Sequence, residues 1–322
     1  MIATKLLKAE GLLPLVIEPE GGALENSALS ALHSWLRDSR NLFESWLHRH
    51  GGLLFRGFSI DTGADFEALA RVIEPELSDY IGGDSPRMKV SGKVYTSTEF
   101  PENYRISPHN ELSYAARWPR KIFFYCDVPP RQGGETPIVD CREVLDAIEP
   151  EIRERFISRK VRYVNNLHGG YGIGRSWQAT FETEDKEQIS AYLSANGVDF
   201  HWSNDDALRI TQINEAVLRH PQTGEQVWFN QAEQWHPSNI DEKTREALKA
   251  LGFEDEELPH YASFGDGSPL DPSELEQIRM LMRERSMSFR WEKGDFLVLD
   301  NLLVAHGRNP FLGPRRILVA MA

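Results

Sequence analysis

The chain has 322 residues, 40% hydrophobic and 26% charged, which is enough apolar material for a large core and excludes general disorder. Its net charge of −13, from 49 acidic against 36 basic residues, and the lack of any long Lys/Arg run exclude the basic face of a nucleic-acid binder. Two cysteines, Cys126 and Cys141, are too few for a disulfide framework or a thiolate zinc site, and both are expected as buried or half-buried thiols in a reducing compartment.

Along the chain, the apolar N-terminal stretches are broken by Lys5, Lys8, Glu10 and Pro14. No signal peptide or membrane span is therefore expected, and a cytoplasmic location follows. Residues 25–50 place Leu29, Leu32, Leu36, Leu42, Trp46 and Leu47 at helical spacing, with Gly51 and Gly52 as the stop. Residues 53–58 read as a strand, and residues 65–70 open a second helix that Pro75 ends. Residues 121–128 are rich in β-formers and end at Pro129 and Pro130. The Gly133–Gly134 turn then leads into a strand-like 136–140. Residues 142–160, 241–251 and 272–285 read as amphipathic helices, the last with Asp271 as cap and Pro272 in its first turn. Residues 296–301 and 316–322 return to strands. Helices do not alternate regularly with strands, and no G-x-G-x-x-G or G-K-[ST] loop occurs, which disfavours a doubly wound nucleotide fold. The predicted class is mainly β with inserted helices, an antiparallel sandwich or jelly roll, in a single domain over 1–322.

Of ten histidines, only His109 is followed two positions later by a carboxylate, Glu111. On an extended strand these two side chains share a face, with Asn110 turned away. Two histidines and one carboxylate on one face of an octahedron leave positions open for a bidentate co-substrate and dioxygen. His306 is the preferred third ligand because it follows the apolar stretch 296–301 and precedes a glycine. His48 and His50 lie at a helix end, where i and i+2 diverge. Arg316, ten residues past His306, can point into the same cavity if the last strand runs back beside its predecessor. A guanidinium there binds a carboxylate in a fork, and Thr136 offers a hydroxyl to the same group.

The ordered motifs H-N-E (109–111), G-G-E-T (133–136), D-N-L-L-V-A-H-G-R (300–308) and G-P-R-R (313–316) resemble the taurine dioxygenase and clavaminate synthase-like superfamily. The resemblance spans residues 50–322. It implies a double-stranded β-helix, a jelly roll, with iron(II) bound by His109, Glu111 and His306. It also implies that Arg316 pairs with the distal carboxylate of 2-oxoglutarate and Thr136 hydrogen-bonds to it, with Arg315 as a neighbouring alternative. Iron(II), 2-oxoglutarate and dioxygen would together hydroxylate an unactivated C–H bond.

The longer motifs look closest to the syringomycin-type aspartyl hydroxylases of peptide antibiotic pathways. An amino acid, free or tethered to a peptidyl carrier protein, is the implied substrate. Glu111 fills the coordination position that related halogenases leave to chloride, which favours hydroxylation. Ala320 stands where taurine dioxygenase has a sulfonate-binding arginine, which disfavours taurine. Arg87, Thr98, Arg105, Trp228 and Arg308 are candidates for contacting substrate. The alternatives are a desaturase built on the same iron site and a non-catalytic jelly-roll binding protein. The oxygenase reading requires that His306 meet His109 and Glu111, and that Arg316 face inward.

Overall fold

The computed structural model describes residues 2–7, 12–20, 27–83 and 85–322. An eight-stranded sheet forms one wall. Its order is Ile2–Leu6, Leu15–Pro19, Gly52–Phe55, Phe296–Asp300, Lys121–Val128, Arg316–Met321, Val94–Thr96 and Lys89–Ser91. Only the pair Leu15–Pro19 and Gly52–Phe55 is parallel in that sheet. A three-stranded sheet, Ile106–His109, Val304–Arg308 and Ile138–Asp140, faces it. A separate four-stranded sheet comprises Asp199–Trp202, Leu208–Asn214, Val161–Leu167 and His260–Phe264.

Lys121–Val128 shows how the eight-stranded sheet is buried on both sides. Ile122, Phe124 and Cys126 point into the core shared with Ile138, Val304 and Ala305. Phe123 and Tyr125 point the other way, among Leu32, Phe43, Leu47, Phe66 and Leu69 from the N-terminal helices. Both faces are apolar, so the strand reads as a continuous β-forming run rather than an alternating one. The helix Gly63–Ile73 on that outer side is opened by a capping box between Thr62 and Asp65. Both cysteines are buried and free. Among the described residues no helix is long and apolar enough to cross a membrane.

Several predicted elements need correction. The helix expected over 25–50 is two, Ser27–Asp38 and Arg40–His50, with a break at Ser39. Residues 25 and 26 lie outside the described residues, as do Lys8 and Glu10. Gly51 ends the second helix as expected, at φ 69°. The helix expected over 142–160 is also two, Cys141–Ala147 and Pro150–Arg159. Pro150 starts the second because a proline lacks the N–H that would continue the first. Most consequentially, Val304–Arg308 is a strand of its own that sequence analysis did not assign.

Candidate active site

His109 ends the strand Ile106–His109, and His306 is central in Val304–Arg308. The strands are antiparallel, and these two histidines are direct register partners. Their ring centroids are 4.7 Å apart. A Cβ on Gly307 would come within 2.4 Å of the Ile106 carbonyl, so only glycine permits this close approach.

Glu111 is not on the strand, contrary to expectation; it lies in the turn that follows. Asn301 holds that turn. Its Oδ1 accepts from the Glu111 backbone N–H at 2.7 Å, and its Nδ2 donates to the Glu111 carbonyl at 3.0 Å. Gln231 and Gln234 fasten the same segment by donating to the carbonyls of Asn110, Ser107 and Pro108. The turn thereby does what strand alternation was expected to do. One ligand atom from each of His109, Glu111 and His306 lies within 4.8 Å of the others.

The donor set suits a divalent cation. His109 Nδ1 is 2.9 Å from the Ser107 carbonyl, which can only accept, so the ring proton is on Nδ1 and Nε2 keeps its lone pair. Burial holds the His109 ring neutral, with its pKa pushed down to about 4 and His306 adding to the effect. Burial alone would raise the Glu111 carboxyl, but the Arg87 guanidinium, 2.7 Å away, holds it well below the usual carboxylate range. A neutral imidazole and a carboxylate are the protonation states a metal needs. His306 is 4% exposed and its Nδ1 has no partner.

A small cavity beside the triad is lined by Thr136, Phe124, Arg87, Arg308 and Arg315, together with His109 and His306. Arg316 is absent from it. The Arg316 side chain is half exposed and pairs with Asp127 at 3.1 Å, so its predicted inward orientation is wrong, and the requirement placed on it is met by the neighbouring alternative, Arg315, which lines the cavity. Strand alternation gives the reason. Ile317, Val319 and Met321 face the core that contains Phe124, whereas Leu318 and Ala320 face the helices. Arg316 shares the parity of Leu318, and Arg315 that of Ile317. A register shift between Arg316 and Ile317 leaves Asp127 without a strand partner, and Arg316 takes it.

Arg315 is half-buried, donates to the Gly134 carbonyl at 3.0 Å and the Ser97 Oγ at 3.1 Å, and pairs with no carboxylate among the described residues. Burial and then the nearby Arg308 push its pKa down to about 10, against the opposing pull of Cys126 and Glu135. Gly134, at φ 69°, brings its carbonyl to Arg315 in a turn where a Cβ would crowd Pro130 and Phe311. Thr136 Oγ1 accepts from the Trp291 indole at 3.2 Å, which leaves its hydroxyl hydrogen free to donate.

The remaining candidates divide. Trp228 is fully buried against Phe156, so it is core. Arg308 donates to the carbonyls of Thr98, Phe100, Pro101 and Tyr104 and so pins that loop. Thr98 lines the small cavity. Arg105 bonds to Asn309 and lines a larger adjoining cavity of about 450 Å³, which also contains His109, Glu111, Tyr114, Gln234 and Trp235.

The family model for the taurine catabolism dioxygenase TauD, TfdA family, matches residues 11–321. The chain belongs to the TauD/TfdA family. It is accordingly a 2-oxoglutarate-dependent non-haem iron oxygenase, using iron(II), 2-oxoglutarate and dioxygen. It is 37% identical over 284 residues to the dapdiamide synthesis protein DdaC of Enterobacter agglomerans, covering 88% of this chain and 85% of that protein. It is 30% identical over 318 residues to a clavaminate synthase-like protein of Arabidopsis thaliana, covering 96% and 93%. Among solved structures, the PvcB protein of Pseudomonas aeruginosa superposes over 99% of this chain and 90% of its own, with a TM-score of 0.54 at 17% identity. Within the TauD/TfdA family frame, the residues sequence analysis missed are Asn301, Gln231 and Gln234. They touch backbone rather than ligand, so no spacing signal marks them.

Proposed function

We propose that this chain hydroxylates an unactivated C–H bond of an amino acid, free or tethered as an aminoacyl group to a carrier protein, in natural-product biosynthesis. The observation that carries the reading is the buried convergence of His109, Glu111 and His306 beside a cavity holding Arg315 and Thr136. The similarity to DdaC, a dapdiamide synthesis protein, supports the biosynthetic setting. In this reading the eight- and three-stranded sheets are the walls of a double-stranded β-helix, and the chain acts as one cytoplasmic catalytic unit.

His109, Glu111 and His306 would hold iron(II). Bound there, iron supplies dioxygen activation coupled to decarboxylation: 2-oxoglutarate, dioxygen and R–H become succinate, carbon dioxide and R–OH. The Arg315 guanidinium, left without an anion by the protein, pairs with the distal carboxylate of the co-substrate. The Thr136 hydroxyl donates to the same group. Phe124, packed 5.0 Å from the His306 ring, helps keep water from the centre. Substrate enters from the larger cavity, where Tyr114, Gln234 and Trp235 line its path. Glu111 occupies the carboxylate position, so hydroxylation is the expected outcome.

The test supplies iron(II), 2-oxoglutarate and dioxygen to the protein with amino acids and aminoacyl carriers, and follows succinate and substrate mass. Iron-dependent succinate formation and a product heavier by one oxygen are expected. Succinate formation that persists after iron is chelated would overturn the reading. Loss of two hydrogens instead of gain of oxygen would make the enzyme a desaturase.

A further inference from the structure

Arg87 is a buried charge with donors that the described residues leave unmet. Its side chain is 3% exposed, and Nη2 reaches Glu111 Oε2 at 2.7 Å. The Tyr80 ring lies against its guanidinium, with 4.3 Å from Cζ to the ring centroid. Nε and Nη1 are buried and have no partner. Leaving two guanidinium donors dry and unbonded is costly, and a structure retains such an arrangement where a ligand completes it.

What completes it is constrained by the surroundings. Arg87 lines the same small cavity as Arg315, Thr136 and His306. Among the described residues, Glu111 is the only acid lining that cavity or the larger one, against Arg87, Arg105, Arg308 and Arg315. Arg308 spends its two terminal nitrogens on four backbone carbonyls. Arg308 keeps only its buried Nε unpartnered, so Arg87 Nη1 and Arg315 Nη2 remain as the terminal nitrogens to spare in one cavity. The first lies against the metal-binding carboxylate; the second lies by Gly134 and Ser97.

We propose that Arg87 is a second carboxylate receptor for the co-substrate, taking the C1 carboxylate through Nη1 while the adjacent Nη2 keeps Glu111 oriented. A five-carbon keto diacid then has a guanidinium at each end. The proposal rests on the reading of this site as a 2-oxoglutarate site, and it adds a residue that sequence analysis had placed among the substrate contacts.

The test is calorimetric and needs no turnover. 2-Oxoglutarate is titrated into protein saturated with Mn(II), alongside two analogues that each lack one carboxylate. Levulinate carries a methyl in place of C1, and 2-oxopentanoate carries one in place of C5. Arg87→Gln should weaken 2-oxoglutarate and 2-oxopentanoate by about tenfold to a hundredfold, as for charge-assisted hydrogen bonds, and leave levulinate within about twofold. Arg315→Gln should show the reverse selectivity. Arg87→Lys keeps the charge but not the fork, so it should recover only part of the loss and guards against misfolding of the glutamine variant. If Arg87→Gln weakens all three ligands alike, or leaves 2-oxoglutarate unchanged, the proposal is overturned while the function stands. If the wild-type protein does not bind 2-oxoglutarate, both fall.

Discussion

Two clusters in this protein have the same composition, two histidines and a carboxylate within 4.8 Å of one another: His109, Glu111 and His306, and His48, His220 and Asp300. Hydrogen bonding distinguishes them. His220 Nδ1 accepts from the backbone N–H groups of Gln222 and Thr223, so its proton is on Nε2, which faces Asp300 Oδ2 at 3.0 Å. Asp300 Oδ1 is used by the N–H groups of Leu302 and Leu303. Those lone pairs are already committed to shaping the turn between Phe296–Asp300 and Val304–Arg308. In the first cluster the proton of His109 points away, toward Ser107, and the lone pairs point inward. Composition and proximity are thus shared, and the tautomer set by the outer hydrogen bond separates a cluster with lone pairs available to a metal from a structural brace.

The sharpest way to break that comparison is to count metal. One iron per chain is expected. His306→Ala should lower its affinity by more than about 100-fold, beyond the loss typical of outer partners, while His48→Ala leaves affinity and stoichiometry unchanged. Metal titration followed by elemental analysis reads both, and two ions per chain would make the second cluster a site.

The same contrast can be drawn between adjacent arginines. Arg315→Gln should weaken 2-oxoglutarate about tenfold to a hundredfold, whereas Arg316→Gln, which loses only a half-exposed pair with Asp127, should change it by less than about twofold. Equal effects would mean that the parity assigned to the last strand is wrong.

A smaller effect separates buried carboxylates. Glu111 is held ionised by Arg87, but Glu233 is buried with Oε2 unpartnered, and burial pushes its pKa up to about 7 from the ordinary 4.5. The folded state thus favours protonated Glu233. That contribution is full below pH 4.5 and is lost as pH rises through 7. Glu233→Gln should therefore raise stability by up to about 3 kcal/mol at pH 8 and change it little at pH 4, which denaturant unfolding at the two values would measure. An equal gain at both would remove titration as the cause.

What could be read from the sequence was which residue types converge and in what order. His109, Glu111, His306 and Thr136, which the structure brings beside one cavity, were legible because those residue types in those motifs fit one metal-site chemistry. The long β-forming run Lys121–Val128 and the capped helices Gly63–Ile73 and Pro272–Arg285 were legible because their signals are local. Only tertiary structure decided which of Arg315 and Arg316 faces the cavity. Both faces of Arg316–Met321 are buried, so hydrophobicity carries no parity, and the register shift opposite Asp127 appears only once the strands pair. It also decided that Glu111 is presented by a turn tied to Asn301, 190 residues away, and that Val304–Arg308 is a strand. Each of these depends on a partner distant in the chain, and single-chain periodicity cannot encode contacts between segments that meet only when folded.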